Sequence, residues 1–224
     1  MRAAPKEMPP LILASASPRR ADLLRQMGLD FQVVDSQTPE VFRDQLSPNE
    51  VAQVNAYRKA RSVSKKTPDA LVIGADTIVA LESRLFGKPS SLEEAYEMLE
   101  DLAGKTHIVV TAVCLLCLRQ HRQRIFTDST SVTFRKLDAV AIRRYLTAVN
   151  PLDKAGAYAI QEKGELIIDH IQGSYSNVVG LPTEKLAEEL AAWVTPERLA
   201  PAVPLLAALA QEHVNRPGTG LPGH

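Results

Sequence analysis

A single carboxylate lies in the middle of an otherwise apolar run. Asp76 stands within 72–79, which reads Val-Ile-Gly-Ala-Asp-Thr-Ile-Val. Burying a carboxylate costs free energy unless it is paired with a cation or holds a metal. The position therefore predicts a general base or a magnesium ligand. Gly74 and Ala75 are small, and we expect them to let a ligand approach. The alternative is an acid that caps a turn at a strand end.

Two arginines follow a short apolar run near the start of the chain. Residues 11–14 are Leu-Ile-Leu-Ala, which predicts a buried strand. Ser17 and Pro18 suit the N-cap and the first position of a helix. That helix carries Arg19 and Arg20 in its first turn, where cations oppose the helix dipole. The pattern favours an anion bound at this helix end, with phosphate as the candidate. Paired arginines on a solvated surface are the alternative.

Two lysines are further candidates for phosphate contact. Lys88 lies in Phe-Gly-Lys-Pro, a fixed turn that can hold an ammonium near a phosphate, although a surface turn has the same pattern. Lys59 lies on the apolar face of a predicted helix, where a lysine that only covers that face with its aliphatic stem is the alternative. Glu40 lies in a polar loop, and no local pattern selects it. His107 precedes a strand, which favours a supporting role over catalysis.

The segment 153–161, Asp-Lys-Ala-Gly-Ala-Tyr-Ala-Ile-Gln, is dense in charged and small residues. Gln161 ends this segment, where we predict a strand. Its amide can both donate and accept hydrogen bonds, which suits the edge of a base. The segment 173–182 is rich in small and polar residues and is predicted to form a rim of the cleft. For both segments, ordinary turn formation is the alternative.

Alternating strands and helices must position these residues. Predicted strands cover 11–14, 31–34, 70–80, 107–118 and 125–134, with a hairpin-like pair at 157–161 and 166–171. After the helix that begins at Pro18, further helices are predicted over 47–64, from 91 to before 104, over 138–149 and over 183–194. Ser47 and Ser91 each begin a capping box with the glutamate three residues later. Strands alternate with helices early and an antiparallel section comes late, so the fold class is mixed α/β.

Composition narrows the class of protein. The chain has 224 residues, of which 45% are hydrophobic, enough for a sizeable core. Lys+Arg and Asp+Glu number 26 each, so the chain lacks the broad basic field of a protein that binds long nucleic acid. No apolar run approaches the roughly 20 residues of a membrane span, and residues 1–10 lack the apolar stretch of a signal peptide. We therefore expect a cytoplasmic protein.

The two cysteines, Cys114 and Cys117, have the spacing of a redox or metal motif. They lie within 109–118, an apolar run predicted to be a buried strand. Residues three apart on a strand point to opposite faces. No second Cys or His pair stands at zinc-finger spacing. The pattern favours two cysteines of the hydrophobic core over a redox protein.

Taken together, the segments that carry these residues resemble the Maf family of nucleoside triphosphate pyrophosphatases. Each segment alone is weak, but the set occurs in the family's order across 11–194 and is highly specific. The matching segments are 15–20, 59–60, 74–77, 87–89, 106–107 with Thr111, 153–158 and 180–182. The resemblance defines one domain over 11–194, between an N-terminal extension over 1–10 and a proline-rich extension over 195–224. In the latter we expect a short helix over 204–214 and a frayed tail over 215–224.

The resemblance implies a mixed central sheet flanked by helices with a deep cleft, similar to inosine triphosphate pyrophosphatases, and usually a homodimer. It implies hydrolysis of a nucleoside triphosphate to the monophosphate and pyrophosphate with a divalent metal, Mg²⁺ or alternatively Mn²⁺. The motifs Ala-Tyr-Ala-Ile-Gln and Ser-Tyr-Ser-Asn-Val-Val-Gly-Leu-Pro resemble those of the branch that acts on dTTP and UTP, and not those of the 7-methyl-GTP branch. Removal of modified pyrimidine nucleotides from the pool is an implied role.

The resemblance also implies roles for individual residues. Asp76 matches the proposed proton acceptor, and we expect Asp76 and Lys88 to be catalytic. The metal is expected to bind Asp76 and Glu40. Positions tied to substrate choice are matched by Arg19, Thr77 and Gln161. The polar phosphate-binding shell is matched by Ser15, Arg20, Glu40, Lys59 and Lys88.

Two points stay open at the level of sequence. Asn150 stands before Pro151, where the family usually has Glu. If that acid supports the metal or orients Lys154, we expect lower activity. The alternative function is a non-catalytic, nucleotide-binding regulator of cell division, which would also bind a triphosphate.

Overall fold

The computed structural model describes residues 9–43 and 45–193. Its strands are β1 Leu11–Ala14, β2 Gln32–Val33, β3 Leu71–Leu81, β4 Arg84–Phe86, β5 Thr106–Cys117, β6 Arg122–Phe134 and β7 Ile168–Gln172. Its helices are α1 Pro18–Gln26, α2 Pro48–Ser64, α3 Leu92–Leu102, α4 Ala139–Ala148, α5 Tyr175–Val179 and α6 Thr183–Trp193. The short helix and the tail predicted beyond residue 203 lie outside the described residues. Within those residues, no helix has the length and apolar character needed to cross a membrane.

The strands form one mixed sheet in the order β2-β1-β3-β5-β6-β7, with β4 also paired to β3. β1 runs parallel to β2 and β3, and the other pairs are antiparallel. Even-numbered residues of the central strands, such as Val72 and Ala112, pack with α2. Odd-numbered ones, such as Ile73 and Val113, pack with α1 and α6. The mixed α/β class predicted from the sequence is confirmed.

The central strand β3 has an interrupted edge. β1 ends at Ala14, opposite Gly74, and β4 pairs with β3 only from Val79 onward. The residues between these two partners have β5 on one side and, in the part of the chain that the structure describes, no strand on the other. We call residues 75–78 the β3 gap. Asp76 and Thr77, which are neighbours within the gap, therefore point to opposite faces of the sheet.

Gly74 lets α2 pack directly on β3. A Cβ atom at this position would lie 2.3 Å from the carbonyl oxygen of Ala56 and 2.7 Å from the backbone nitrogen of Ala60. The expectation that Gly74 makes room for a ligand is therefore wrong, because the helix fills that space. Ala75 is likewise buried in the hydrophobic core. The missing side chain at position 74 instead sets the distance between α2 and the central strand.

The predicted hairpin-like pair over 157–161 and 166–171 is wrong. Strand β7 pairs with β6, and the earlier segment forms no strand. Gly156 and Ala157 adopt left-handed conformations, with φ of 68° and 63°, which interrupt an extended chain. Tyr158 is nevertheless buried. The apolar pattern in this segment thus comes from a buried loop and not from strand pairing.

All three serines predicted to begin helices occupy the N-cap position, but their side-chain hydrogen bonds differ. Ser47 forms the complete capping box with Glu50. Ser91 accepts a hydrogen bond from the Glu94 backbone, but the Glu94 carboxylate bonds Ser90 and not Ser91. Ser17 occupies the N-cap position of α1, yet its side chain forms no capping hydrogen bond.

Cys114 and Cys117 are buried free thiols on β5. Cys114 packs on the α2 face of the sheet and Cys117 on the opposite face, as the strand geometry predicted. Burial raises the pKa of the Cys114 thiol to about 12. The prediction of core cysteines is confirmed, since a buried thiol that stays protonated is a poor nucleophile.

Candidate active site

A cavity of about 660 Å³ opens at the β3 gap. Its wall is formed by the turn between β1 and α1, the loop before α2, α2 itself, β3 and the segment 152–161. All nine side chains proposed from the sequence line this cavity: Ser15, Arg19, Arg20, Glu40, Lys59, Asp76, Thr77, Lys88 and Gln161. Residues separated by up to 146 positions in the sequence are thus brought to one place by the gap in the sheet.

Asp76 is 2% exposed, and two residues of α2 hold its carboxylate. Lys59 Nζ lies 2.6 Å from Oδ1, and Asn55 Nδ2 donates to Oδ2 over 3.1 Å. Burial raises the pKa of Asp76 above its usual 3.8, an effect that Lys59 opposes and Glu40 reinforces. A carboxylate with a raised pKa is a stronger base than a solvated one, so Asp76 is suited to accept a proton.

Glu40 and Asp76 share one lysine. Lys59 Nζ lies 2.9 Å from Glu40 Oε1, and Lys88 Nζ contacts the same oxygen at 2.8 Å. Burial alone would raise the pKa of Glu40, but Lys59 and Lys88 lower it to about 2. Glu40 is therefore ionised at neutral pH. We call the connected group Glu40, Lys59, Asp76 and Lys88 the ionic side of the cavity.

Asn55 is a site residue that the sequence analysis missed. Its amide exchanges hydrogen bonds of 2.8 and 3.1 Å with the backbone of Val41, next to Glu40, while Nδ2 also reaches Asp76. Asn55 thereby ties the loop that carries Glu40 to the central strand. A signal was present in the spacing, because this buried amide precedes Lys59 by about one helical turn on the same face of α2.

On the opposite face of β3, Arg20 donates to three neutral acceptors. Nε donates to Gly180 O at 2.8 Å, Nη1 to Ser15 Oγ at 3.2 Å and Nη2 to Thr77 Oγ1 at 3.0 Å. Burial lowers the pKa of Arg20 from its usual 12.5. Across residues 9–43 and 45–193, no carboxylate forms an ion pair with Arg20. Since a guanidinium carries five N–H groups, Arg20 keeps donors for an anion.

The Thr77 hydroxyl begins a chain of hydrogen bonds that runs through two buried residues. Its Oγ1 lies 3.0 Å from Thr111 Oγ1, and Thr111 in turn donates to Asn177 O over 2.9 Å. Thr111 stands directly across from Thr77 in the sheet. We call Ser15, Arg20, Thr77 and Thr111 the hydroxyl side of the cavity. No role was derived for Thr111 from the sequence, although a hydroxyl within an apolar strand was the available signal.

Arg19 lies on the cavity wall but is paired with carboxylates. Its Nη1 is 2.9 Å from Asp153 Oδ2 and 3.7 Å from Glu162 Oε1. Lys154 contacts the same two carboxylates, at 2.7 and 3.2 Å. The two arginines of the α1 N-terminus therefore have different surroundings: Arg19 belongs to an ion-pair network, and Arg20 is bound to neutral oxygens.

Comparison with known proteins assigns the family. The family model described as Maf-like protein matches residues 10–193. The chain belongs to the Maf family.

This Maf chain is similar to bacterial proteins named dTTP/UTP pyrophosphatase. The protein of Bacillus cereus (strain ATCC 10987 / NRS 248) is 44% identical over 185 residues, which cover 83% of this chain and 90% of the relative. A Bacillus anthracis relative (strain CDC 684 / NRRL 3495) is 44% identical over 180 residues, covering 80% and 93%. The Pelotomaculum thermopropionicum relative is 44% identical over 183 residues, covering 82% and 96%.

The carboxylates of this Maf chain suit a magnesium ion that arrives with phosphates. Within the described ranges, no group of three or more His, Cys, Asp or Glu residues is arranged to hold a metal alone. Mg²⁺ usually takes only one or two carboxylates and completes its shell with waters and substrate phosphate oxygens. Glu40 and Asp76 contact the same Lys59 ammonium and so lie close to one another. The pair fits a metal of that kind.

Gln161 and His107 occupy different depths of this Maf domain. Gln161 is exposed in a turn at the cavity, and the prediction that it ends a strand is wrong. His107 is 1% exposed, and its Nε2 lies 2.7 Å from the hydroxyl of Tyr158, which lines the cavity. Burial lowers the pKa of His107 to about 4, so the imidazole is neutral at physiological pH. His107 thus lies behind a residue of the cavity wall, and its supporting role stays a prediction.

Asn150, the departure from the usual Maf pattern, acts on Lys154 through its backbone. Lys154 Nζ donates to Asn150 O over 2.7 Å, and Asp153 and Glu162 supply carboxylate partners. The exposed Asn150 side chain accepts a hydrogen bond from Leu152 N at 3.2 Å. Lys154 is therefore oriented without a carboxylate at position 150.

Proposed function

We propose that this chain hydrolyses nucleoside triphosphates, with dTTP and UTP as substrates, to the monophosphate and pyrophosphate. Membership of the Maf family and the names of its relatives support the reaction class. The structural observation that carries the proposal is the buried Asp76 carboxylate, with its raised pKa, in a cavity lined by arginines and lysines. Burying a carboxylate costs free energy, and its raised pKa suits a proton acceptor, which a pocket that only binds triphosphate does not need.

The cations of the cavity provide for the triphosphate. Arg20 has N–H groups to spare, and the Lys88 side chain is 49% exposed and so can move toward a ligand. Lys59 lies between the two carboxylates and keeps their negative charge from repelling the substrate. Preorganised cations of this kind stabilise the charge that develops on the leaving pyrophosphate.

Asp76 is the proposed proton acceptor. Lys59 and Asn55 each bond one of its oxygens, and a carboxylate has about four acceptor positions, so Asp76 can also bind a water. The water oxygen attacks the α-phosphorus while its proton passes to Asp76. The bond from the α-phosphorus to the bridging oxygen breaks, and pyrophosphate leaves with the electron pair. Lys88 is proposed to stabilise that leaving group.

The remaining roles follow the family resemblance. A divalent cation, Mg²⁺ or alternatively Mn²⁺, held by Glu40 and Asp76 would supply charge neutralisation at the phosphate oxygens. Arg19, Thr77 and Gln161, which line the cavity, are proposed to determine substrate choice. We further propose a cytoplasmic homodimer that acts on free nucleotides and not on long nucleic acid. Light scattering on the purified chain tests the dimer.

A nucleotide panel with identified products tests the proposed function. The purified chain is incubated with dTTP, UTP, CTP, ATP and GTP in the presence of Mg²⁺, and the products are separated by chromatography. We expect the monophosphate and pyrophosphate from dTTP and UTP. Asp169→Asn, at an exposed carboxylate on β7, is purified in parallel as a matched control and should retain this activity. Release of orthophosphate, or binding of nucleotides without any product, contradicts the proposal; the second result favours a regulator.

A further inference from the structure

The buried contact between Thr77 and Thr111 has a fixed direction. Thr111 Oγ1 donates to the carbonyl oxygen of Asn177 over 2.9 Å, and a carbonyl oxygen can only accept. Each threonine hydroxyl carries a single hydrogen. Because the hydrogen of Thr111 is already used, the 3.0 Å contact between the two hydroxyls requires Thr77 to donate to Thr111.

Arg20 fixes the other side of the Thr77 hydroxyl. Arg20 Nη2 lies 3.0 Å from Thr77 Oγ1, and a guanidinium can only donate. Thr77 therefore has no hydrogen left to offer and keeps one free lone pair. Thr77 is partly exposed and lines the cavity, whereas Thr111 is fully buried behind it. A ligand in the cavity thus meets an oxygen that can accept a hydrogen bond but cannot donate one.

We propose that Thr111 is a positioning residue that makes Thr77 an obligate hydrogen-bond acceptor for a donor on the nucleoside of the substrate. This inference rests on the proposed function, because it takes the ligand to be a nucleoside triphosphate. Phosphate oxygens that carry no proton only accept hydrogen bonds, so they are not partners for Thr77. The nucleosides of dTTP and UTP share two kinds of donor, the N3–H group of the ring and the 3′-hydroxyl of the sugar; the 2′-hydroxyl is present only in UTP.

An obligate acceptor separates pyrimidines that have similar shapes. Uracil and thymine carry a hydrogen on N3, while N3 of cytosine carries a lone pair. Cytosine N3 facing Thr77 would bring two acceptors together without a hydrogen, which leaves both unpaired. A freely rotating hydroxyl would donate to one base and accept from the other, and could not discriminate. The selectivity therefore depends on Thr111, which the substrate does not touch.

The variant Thr111→Val tests this dependence. Valine retains the shape of threonine but cannot accept the hydrogen of Thr77, so the Thr77 hydroxyl becomes free to rotate and donate. kcat and KM are measured by pyrophosphate release with UTP, CTP and 3′-deoxy-UTP. We expect the kcat/KM ratio of UTP to CTP to fall on the order of tenfold, mainly through improved use of CTP. Thr111→Ser retains the hydroxyl and should restore the wild-type ratio.

Thr130 on β6 provides the matched control. It is 1% exposed, donates to Ser174 O over 2.9 Å and accepts from Asn177 Nδ2 over 2.9 Å. Thr130→Val thus also removes a threonine donor from a carbonyl oxygen beside α5, but Thr130 does not line the cavity. We expect Thr130→Val to lose thermal stability to a similar extent as Thr111→Val while keeping the wild-type UTP to CTP ratio.

Each result decides the proposal. A fall in the UTP to CTP ratio of Thr111→Val identifies N3–H as the donor. A fall only in the UTP to 3′-deoxy-UTP ratio identifies the sugar hydroxyl. No change in either ratio, or an equal change in Thr130→Val, overturns the role of Thr111. If the wild-type chain releases no pyrophosphate, the proposed function fails, and the same ratios are then measured as dissociation constants of non-hydrolysable α,β-methylene analogues.

Discussion

The two faces of β3 meet at one gap and are built from different chemistry. On the α2 face, Asp76 belongs to a chain of alternating carboxylates and ammonium groups in which each charge has an opposite charge as its neighbour. On the α1 face, Thr77 belongs to a chain of neutral oxygens that begins at Arg20 and ends at the Asn177 carbonyl. One step along the strand separates these surroundings.

The difference separates two tasks that an enzyme for nucleotides must combine. The ionic side contains groups whose protonation responds to their neighbours, and such groups can move a proton or hold a cation. The hydroxyl side has no carboxylate and its threonines do not titrate, so its hydrogen-bond direction is constant with pH. We therefore propose that proton transfer and recognition lie on opposite faces of the strand, so that variants on one face should leave the other task intact.

The largest effect is expected from Asp76→Asn, which removes the proposed base. We expect kcat for UTP to fall about 10²- to 10⁴-fold, the usual contribution of a general base. The Lys59 ammonium keeps Glu40 as an ion-pair partner in this variant, so the chain should still fold, which its melting temperature at pH 7 checks. Thr77→Val, one residue away on the hydroxyl side, is the control and should keep kcat for UTP within about tenfold. An Asp76→Asn enzyme within tenfold of wild type would contradict the assignment.

Gly74→Ala should damage the ionic side through its scaffold. The new Cβ would lie 2.3 Å from Ala56 O and force α2 away from β3, which we expect to cost about 1–3 kcal/mol of unfolding free energy. Because α2 carries Lys59, its contact with Asp76 lengthens and kcat falls, whereas the UTP to CTP ratio should not change. Urea unfolding and pyrophosphate release measure the two effects.

A second glycine provides the control for that substitution. A Cβ at Gly164 would find its nearest neighbour at 3.5 Å, an ordinary contact distance. Gly164→Ala should therefore leave both stability and kcat close to wild type. If Gly74→Ala were equally mild, the close approach of α2 to β3 would not be what positions the ionic side.

Glu40→Gln tests whether the stability contributed by the ionic side depends on pH. Burial would raise the pKa of Glu40, but Lys59 and Lys88 lower it from 4.5 to about 2. A folded pKa below the unfolded value means that Glu40 stabilises the protein above pH 4.5, and that this contribution is lost as the pH falls from 4.5 toward 2. Between pH 4.5 and pH 2, we expect the unfolding free energy of the wild type to fall by about 1–3 kcal/mol more than that of Glu40→Gln. Urea unfolding in metal-free buffer measures this difference.

The hydroxyl side supplies the comparison for this titration. Ser15→Ala removes a neutral acceptor of Arg20, so its cost should be the same at pH 7 and at pH 3. If the unfolding free energies of wild type and Glu40→Gln changed equally with pH, Lys59 and Lys88 would not lower the pKa of Glu40 as the geometry indicates.

The sequence alone predicted the parts of this molecule that depend on local pattern. Asp76 was identifiable because a charge in an apolar strand has few explanations, and the helices and most strands followed from the spacing of apolar residues. The segment 157–161 failed for the same reason, since its apolar spacing resembles a strand. Only the left-handed conformation of Gly156 and Ala157 shows that the backbone turns there.

The contacts between distant segments could not be predicted in this way. Asn55 bonds Asp76, 21 residues away, and Thr111 bonds Asn177, 66 residues away. Such pairs depend on how the strands are ordered and on where β1 ends, and local spacing contains neither. The direction of the Thr77 hydrogen bond depends on both Arg20 and Thr111. It can therefore be derived only from the three-dimensional contacts and not from local sequence.

The smallest effect is expected at the cysteines, which test whether the sheet itself separates the two sides. Cys114 packs on the α2 face and Cys117 on the α6 face, so their side chains point apart and should not form a disulfide. Cys114→Ala should cost about 1 kcal/mol of stability and leave kcat and the nucleotide ratio unchanged. Cys117→Ala is the matched variant from the other face, and mass spectrometry after mild oxidation checks for a disulfide. Loss of the two thiol hydrogens on oxidation, or activity that depends on a reductant, would mean that the β5 strand opens and that the two faces are not kept apart.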